Sequence, residues 1–120
     1  MSETGKRLEQ LGITLPVRRR KGAGAVDAVL EGDLLYLSAQ LPLDAEGKPL
    51  YVGKVGAEID LDTAYAAARQ CGLNALATIK DYVGELDRVD YIVKVLGLVN
   101  SAADFSSQPA VITSPSTLTI

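Results

Sequence analysis

The chain has 120 residues, a hydrophobic fraction of 48% and a formal net charge of −3, which suit one globular domain rather than a disordered polymer. Its pI of about 4.8 argues against general nucleic-acid binding, which normally needs a basic surface. With no histidine and one cysteine, the sequence excludes Ser-His-Asp and Cys-His catalysis, His-rich zinc or iron sites and an intrachain disulfide.

Residues 1–22 are interpreted as an N-terminal extension and residues 23–120 as a single domain. Residues 1–6 lack the apolar stretch of a signal peptide, and no apolar run approaches the roughly 20 residues of a membrane span. Together with the single thiol, these features favour a cytoplasmic protein. The basic run at 18–21 is interpreted as a solvated loop, with an anion or RNA contact as the alternative.

The extension carries the pattern of one short helix. Thr4 predicts its cap, and Gly12 predicts its end just after Leu11. Leu8 and Leu11 lie three residues apart, so we expect both to dock this helix on the domain.

A β-hairpin is predicted next. Residues 26–30 and 34–39 are strand-like runs, and Gly32 between them supplies the backbone freedom that a tight turn needs. Residues 41–49 contain two prolines and a glycine, which is typical of a loop. Residues 50–55 predict a further short edge strand.

The longest helix is predicted to start at Asp60 or Asp62 and to end at Gly84. A stripe of mostly small residues recurs at helical spacing and predicts the face that packs on the sheet: Ala64, Ala68, Cys71, Ala75, Ile79 and Tyr82. Because Cys71 belongs to this stripe, it is interpreted as a packing residue rather than as a reactive thiol.

Residues 88–99 predict a strand that is apolar on nearly every position, so both of its faces should be covered. One face would meet the helix, and the other is a candidate for subunit contact. Lys94 lies in the middle of this run. It is either a lysine at a sheet edge or a charge that points into an interface cleft. Ser114 and Pro115 then predict the start of a second helix.

Three segments carry a family pattern. Residues 32–42 read as a glycine turn, a strand and then Ser38-Ala39-Gln40-Leu41-Pro42, where the family has Ser-Gly-Gln-hydrophobic-Pro. Residues 89–105 resemble a valine-rich strand followed by an Asp-Phe motif, and residues 108–112 match the same subgroup. In this order and spacing, the sequence resembles the RidA/YjgF family, in its YjgF-like, chorismate-mutase-like subgroup.

The resemblance implies an α+β fold, a two-layer sandwich whose sheet has its helices packed on one face. It also implies a homotrimer with ligand clefts between subunits. In the best-understood branch of the family, the reaction is the hydrolysis of enamine or imine intermediates such as 2-aminoacrylate. The products are a 2-oxo acid and ammonia, and no cofactor or metal takes part.

Ser38, Gln40 and Gln108 carry over by position as residues that bind a small carboxylate metabolite, and Lys94 joins them as a cation. Each has a structural alternative: Ser38 bonding to backbone at a strand end, Gln40 bracing the loop, Gln108 capping a turn, and Lys94 lying at an edge. No catalytic residue is assigned. The Tyr that lines the family's site falls at Ala25.

The family's carboxylate-binding Arg and a water-positioning Glu lie on a segment beyond residue 120, so we expect the C-terminal helix and strand to be incomplete in this chain. Two alternatives to the deaminase therefore stay open. One is a non-catalytic metabolite-binding or regulatory module of the same fold. The other is the endoribonuclease or translation-inhibitor activity attached to the family name, which the acidic pI disfavours.

Overall fold

The computed structural model describes residues 3–17 and 26–116, with side chains as far as residue 113 in the last helix. The chain is α+β, and its elements in chain order are α1 Glu3–Gln10, β1 Ala28–Glu31, β2 Leu34–Leu37, α2 Leu61–Val83, a 3-10 turn Leu86–Arg88, and α3 Gln108–Ser116. The basic run at 18–21 lies outside the described residues.

The predicted hairpin is confirmed. β1 and β2 pair antiparallel, with Val29 opposite Tyr36. Gly32 has a φ of 58°, in the left-handed region that favours glycine, and it closes the turn. Leu35 and Leu37 point towards the helices and pack on the core. Val29, Leu34 and Tyr36 are exposed on the opposite side of the hairpin, which we call the outer face.

Helix α2 is also confirmed, and its two ends follow the predicted signals. The Asp60 carboxylate accepts a hydrogen bond of 2.8 Å from the Thr63 amide, and hydrogen bonding from the Thr63 side chain and then from its amide lowers the pKa of Asp60. Gly84 ends the helix with a φ of 88°. The predicted stripe is partly wrong, because Tyr82 is 48% exposed.

Two apolar clusters lie along α2. Around its first half, α3 packs through Val111 on Ala64 and Ala68. Around its last half, Ile79 packs with Leu8 of α1 and Leu86 of the 3-10 turn. A single long helix therefore joins α1, the hairpin and α3, and the small alanines let α3 approach closely.

Helix α1 docks as predicted through Leu8, which is buried, but Leu11 is 46% exposed and does not dock. The prediction that Thr4 caps this helix is wrong. The Asp87 carboxylate accepts hydrogen bonds from the amides of Glu3 at 2.9 Å and Thr4 at 2.7 Å. The donors at the start of α1 are thus satisfied by a residue 83 and 84 positions away. The division of the chain at residue 22 stays a prediction.

The Asp87 contact predicts an acid-sensitive attachment of α1. Hydrogen bonds from Thr4 and Glu3 lower the pKa of Asp87, so its contribution to stability is present above pH 4 or so and is lost as pH falls through the lowered pKa. We expect Asp87→Asn to melt at a lower temperature than the wild type at pH 7, and this difference to shrink by pH 3. Thermal melts across that range test it, with Asp81→Asn on exposed α2 surface as the control. An unchanged difference at all pH values would contradict the expectation.

The strand predicted at 88–99 is wrong, because the structure has no strand over these residues. Residues 89–100 neither turn nor bend, and they carry no sheet pairing with any described residue. A strand is defined by its partner, and the described part of the chain provides none. The strand predicted at 50–55 is also wrong. Val55 forms isolated bridges to Ile59 and Ser101, and these do not extend into a ladder.

The second helix begins earlier than predicted. It starts at Gln108 rather than at Ser114, and Pro109 lies in its first turn, where the missing N–H leaves no helical bond unmade. Over the described residues, no helix is both long and apolar enough to cross a bilayer.

Candidate functional site

Ser38 and Gln40 lie together just after β2. Both the amide and the hydroxyl of Ser38 donate to the Asp27 carbonyl, at 3.0 and 3.2 Å, which closes the open end of the hairpin. The Gln40 side-chain amide donates to the Ser38 carbonyl at 3.1 Å. The structure thus brings two of the predicted site residues together, and these bonds fit their structural alternatives, backbone bonding for Ser38 and bracing of the loop for Gln40.

Asn74 fixes the loop that follows this pair. Its side chain is 2% exposed in the middle of α2. The Asn74 amide donates to the carbonyls of Leu41 at 2.9 Å and Leu43 at 3.3 Å, and its oxygen accepts from Gln70 at 3.1 Å. Helix α2 therefore holds residues 41–43, and through them the position of Gln40, by hydrogen bonds that are partly shielded from water.

Gln108 is held by a different set of partners at the start of α3. Its side-chain amide donates to the Ser101 hydroxyl at 3.1 Å and to the Phe105 carbonyl at 2.9 Å. These bonds tie the first turn of α3 to the loop before it. The structural alternative for Gln108 is therefore observed, and its predicted role in ligand binding stays a prediction.

Lys94 is exposed in the middle of the unpaired segment, and within residues 3–17 and 26–113 it forms no ion pair. A cation presented in this way is available to an anionic group from outside the chain. Arg88, by contrast, donates to the Val83 carbonyl at 2.9 Å at the end of α2. Cys71 is half-buried, and burial raises the pKa of its thiol, which lowers the thiolate fraction and agrees with a packing role.

A shallow cavity of about 10 Å³ lies beside α1, and it has room for about one water molecule. It is lined by Gly5, Leu8, Lys80, Glu85 and Leu86, and none of the predicted site residues belongs to it. The described residues also contain no group of His, Cys, Asp and Glu side chains that could hold a metal ion. Ser38 and Gln40 can offer hydrogen bonds to a ligand, but neither side chain is an acid or base near neutral pH.

Sequence reasoning missed Asn74. Its signal was a polar amide in the middle of a run of apolar and small residues at 73–79 on the predicted helix. A buried polar side chain needs partners, and the Leu41 and Leu43 carbonyls provide them.

Comparisons with known proteins agree on one family. The profile of the family described as YjgF/chorismate mutase-like, putative endoribonuclease, matches residues 6–120. A curated relative, Protein TCP17 of Trypanosoma cruzi, is 36% identical over 101 residues, which cover 84% of this chain and 62% of that protein. The chain thus spans less than two thirds of this relative's length.

Two crystal structures have similar folds. The protein Atu1372 of Agrobacterium tumefaciens, of unknown function, has a TM-score of 0.81 and 38% identity, with 92% of this chain and 68% of that chain covered. A putative endoribonuclease of Shewanella oneidensis MR-1 has a TM-score of 0.88 and 30% identity, with 96% and 76% covered. These matches and the hairpin-plus-helix architecture confirm the predicted fold class, and the chain belongs to the YjgF/chorismate mutase-like family.

Proposed function

We propose that this protein hydrolyses reactive enamine or imine intermediates such as 2-aminoacrylate to 2-oxo acids and ammonia. The observation that supports this most is the pair Ser38 and Gln40, which stands at the end of β2 within the sequence pattern that resembles the family's site. A hydroxyl, an amide and fixed backbone carbonyls are sufficient for a substrate that is already electrophilic.

The reaction requires the protein to position the substrate and the attacking water rather than to generate a strong nucleophile. Water adds to the imine carbon, the C–N bond then breaks, and the nitrogen leaves as ammonia after taking up protons from solvent. Ser38 and Gln40 would orient the substrate by hydrogen bonds, with Gln108 as a third such group. Lys94, exposed on a segment without sheet pairing, would hold the substrate carboxylate as a point charge.

The proposed site would be completed between subunits. The outer face presents Val29, Leu34 and Tyr36, which are 50%, 44% and 58% exposed on the side of the hairpin turned away from the helices. An apolar sheet face of this kind is typical of a subunit contact. We therefore propose a homotrimer formed through the outer face, with a cleft for a small carboxylate metabolite at each interface, in the cytoplasm.

A coupled assay tests the activity. A serine or threonine dehydratase generates the imine, and release of the 2-oxo acid is followed with and without this protein. We expect acceleration by the wild type and a loss of about tenfold or more in Gln40→Leu, since an orienting hydrogen bond would be removed. Asn100→Leu, at an exposed position, is the control. No acceleration by a folded wild type would refute the enzymatic proposal.

The second candidate is a non-catalytic module that binds a small carboxylate metabolite. It is favoured by the chemistry of Ser38 and Gln40, because neither supplies an acid or base. A rise in melting temperature with 2-oxo acids, without turnover in the coupled assay, is its expected signature. Endoribonuclease activity, which the name of the Shewanella oneidensis protein carries, is tested by degradation of a defined RNA with the same preparation.

A further inference from the structure

The loop that follows Gln40 is closed by bonds within itself. The Leu50 amide donates to the Pro42 carbonyl at 3.0 Å, and the Asp44 amide donates to the Lys48 carbonyl at 2.9 Å. The Asp44 carboxylate in turn accepts from the Lys48 amide at 2.9 Å. Because these bonds give the loop a fixed internal shape, the place where it is attached to the rest of the molecule determines where its first residue lies, next to Gln40.

Asn74 attaches this loop to helix α2. Its side-chain nitrogen Nδ2 faces the loop and donates to the Leu41 carbonyl at 2.9 Å and to the Leu43 carbonyl at 3.3 Å. Two acceptors on this side require the nitrogen of the amide, so its oxygen Oδ1 has to face the other way. Since Leu41 directly follows Gln40 in the chain, the direction of the Asn74 amide bears on the position of a proposed substrate-binding side chain.

Gln70 favours that direction of the amide from one turn earlier on α2. Its side-chain nitrogen donates to Asn74 Oδ1 at 3.1 Å, and a separation of four residues places both side chains on the same side of the helix. Asn74 is 2% exposed and the bond is partly shielded from water, which strengthens it. A donor at position 70 and the two loop carbonyls thus favour the same orientation of Asn74.

We propose that Gln70 is a positioning residue of the site, which acts on substrate binding through Asn74 and the loop rather than by touching the substrate. This role rests on the proposed function, in which Gln40 orients the substrate by hydrogen bonds. It requires a hydrogen-bond donor at position 70. An acceptor there would favour the reversed amide, which turns Oδ1 towards the Leu41 and Leu43 carbonyls and removes the Asn74 donor from both.

Two charged variants of similar length separate a donor from an acceptor at this position. In Gln70→Lys the new side chain can only donate, and in Gln70→Glu the ionised side chain can only accept. KM and kcat are measured in the coupled assay at a temperature where the variants are folded. We expect Gln70→Glu to raise KM by about tenfold with a smaller change in kcat, because Gln40 is displaced, and Gln70→Lys to stay within about twofold of the wild type.

The new charges are controlled one turn away on the same helix. Ala66→Glu and Ala66→Lys place the same two charges at an exposed position four residues before Gln70. A purely electrostatic effect on an anionic substrate would give both pairs of variants a similar difference in KM, whereas we expect the Ala66 variants to differ by less than about twofold. If Gln70→Glu does not fold, Gln70→Met takes its place, and since it cannot donate, a rise in KM of about threefold or more is expected.

The NMR resonances of the Asn74 side-chain amide provide a readout that does not depend on activity. They should keep their wild-type positions in Gln70→Lys and shift in Gln70→Glu. Unshifted resonances in Gln70→Glu, equal KM values for the two Gln70 variants, or the same difference in the Ala66 pair would overturn the role of Gln70 and leave the proposed function standing.

The wild type decides the proposed function separately. If it binds 2-oxo acids without turnover, the Kd from thermal shifts replaces KM in the same comparison of variants. A folded wild type that neither accelerates hydrolysis nor is stabilised by 2-oxo acids would refute the proposed function, and the positioning role of Gln70 together with it.

Discussion

Replacing Asn74 by leucine is expected to lower the free energy of unfolding by about 2–3 kcal/mol, with a drop in Tm of roughly 10 °C. Leucine keeps the number and branching of the heavy atoms, so most of the cost comes from the polar partners. The Leu43 carbonyl would lose its Asn74 donor, the Leu41 carbonyl would keep only the Leu43 amide at 2.8 Å, and the Gln70 amide would lose its acceptor, beside a position that is 2% exposed. Buried groups left without a partner cost more than the bond itself contributed.

Chemical denaturation of matched variants measures this loss. Asn100→Leu makes the same chemical change at an exposed position and should stay within about 0.5 kcal/mol of the wild type. Gln70→Ala removes one of the three bonds while leaving the loop carbonyls paired, so it should lie between the two. If Asn74→Leu and Asn100→Leu had the same free energy of unfolding, the hydrogen bonds to residues 41–43 would contribute nothing to stability.

The same variant separates two roles of the loop. If residues 41–43 position Gln40 for a ligand, Asn74→Leu should raise KM in the coupled assay at a temperature where the variant is still folded, with a smaller effect on kcat. Restoring the amide in a revertant should restore KM. A purely structural clamp would lower the fraction of folded protein and leave KM unchanged.

The elements that the sequence predicted correctly are those with local signals. Gly32 turns the hairpin, Asp60 caps α2 and Gly84 ends it, and each acts on residues within a few positions of itself. Ser38 and Gln40 lie together after β2 because they are two residues apart, and their role in ligand binding stays a prediction. Turns and helix ends that are determined by residues within a few positions of themselves can be predicted from the local sequence.

The elements that it predicted wrongly depend on distant partners. Asp87 caps α1 from across the molecule, and no pattern near Thr4 could indicate this. Residues 89–100 have the composition of a strand, but composition does not provide the second strand that a ladder requires. The contact of Gln108 with Ser101 follows no spacing rule either, and the role of Gln108 in ligand binding stays a prediction drawn from the family pattern.

Substituting Gly97 by alanine is expected to destabilise the protein by about 1–3 kcal/mol, because α3 lies directly on this position. A Cβ built on Gly97 would lie within 3 Å of three carbons of the Ile112 side chain, with Cγ1 at 2.7 Å and Cγ2 at 2.8 Å. Two of these atoms are close to the Ile112 backbone, so a change of rotamer cannot remove the clash by moving the tip alone. The helix or the segment has to move.

A double-mutant cycle isolates this contact. Ile112→Ala by itself loses packing on the cluster around Val111 and Ala64, but it also removes the atoms that the new methyl group would meet. We therefore expect the double variant to be more stable than the sum of the single effects predicts, by about 1–2 kcal/mol. Leu98→Ala, at a neighbouring position that is 87% exposed, is the control and should change stability little. Strict additivity would mean that α3 does not rest on Gly97 in solution. The C-terminal end of residues 89–100 would then be held by the hydrogen bond from the Val55 amide to the Asn100 carbonyl.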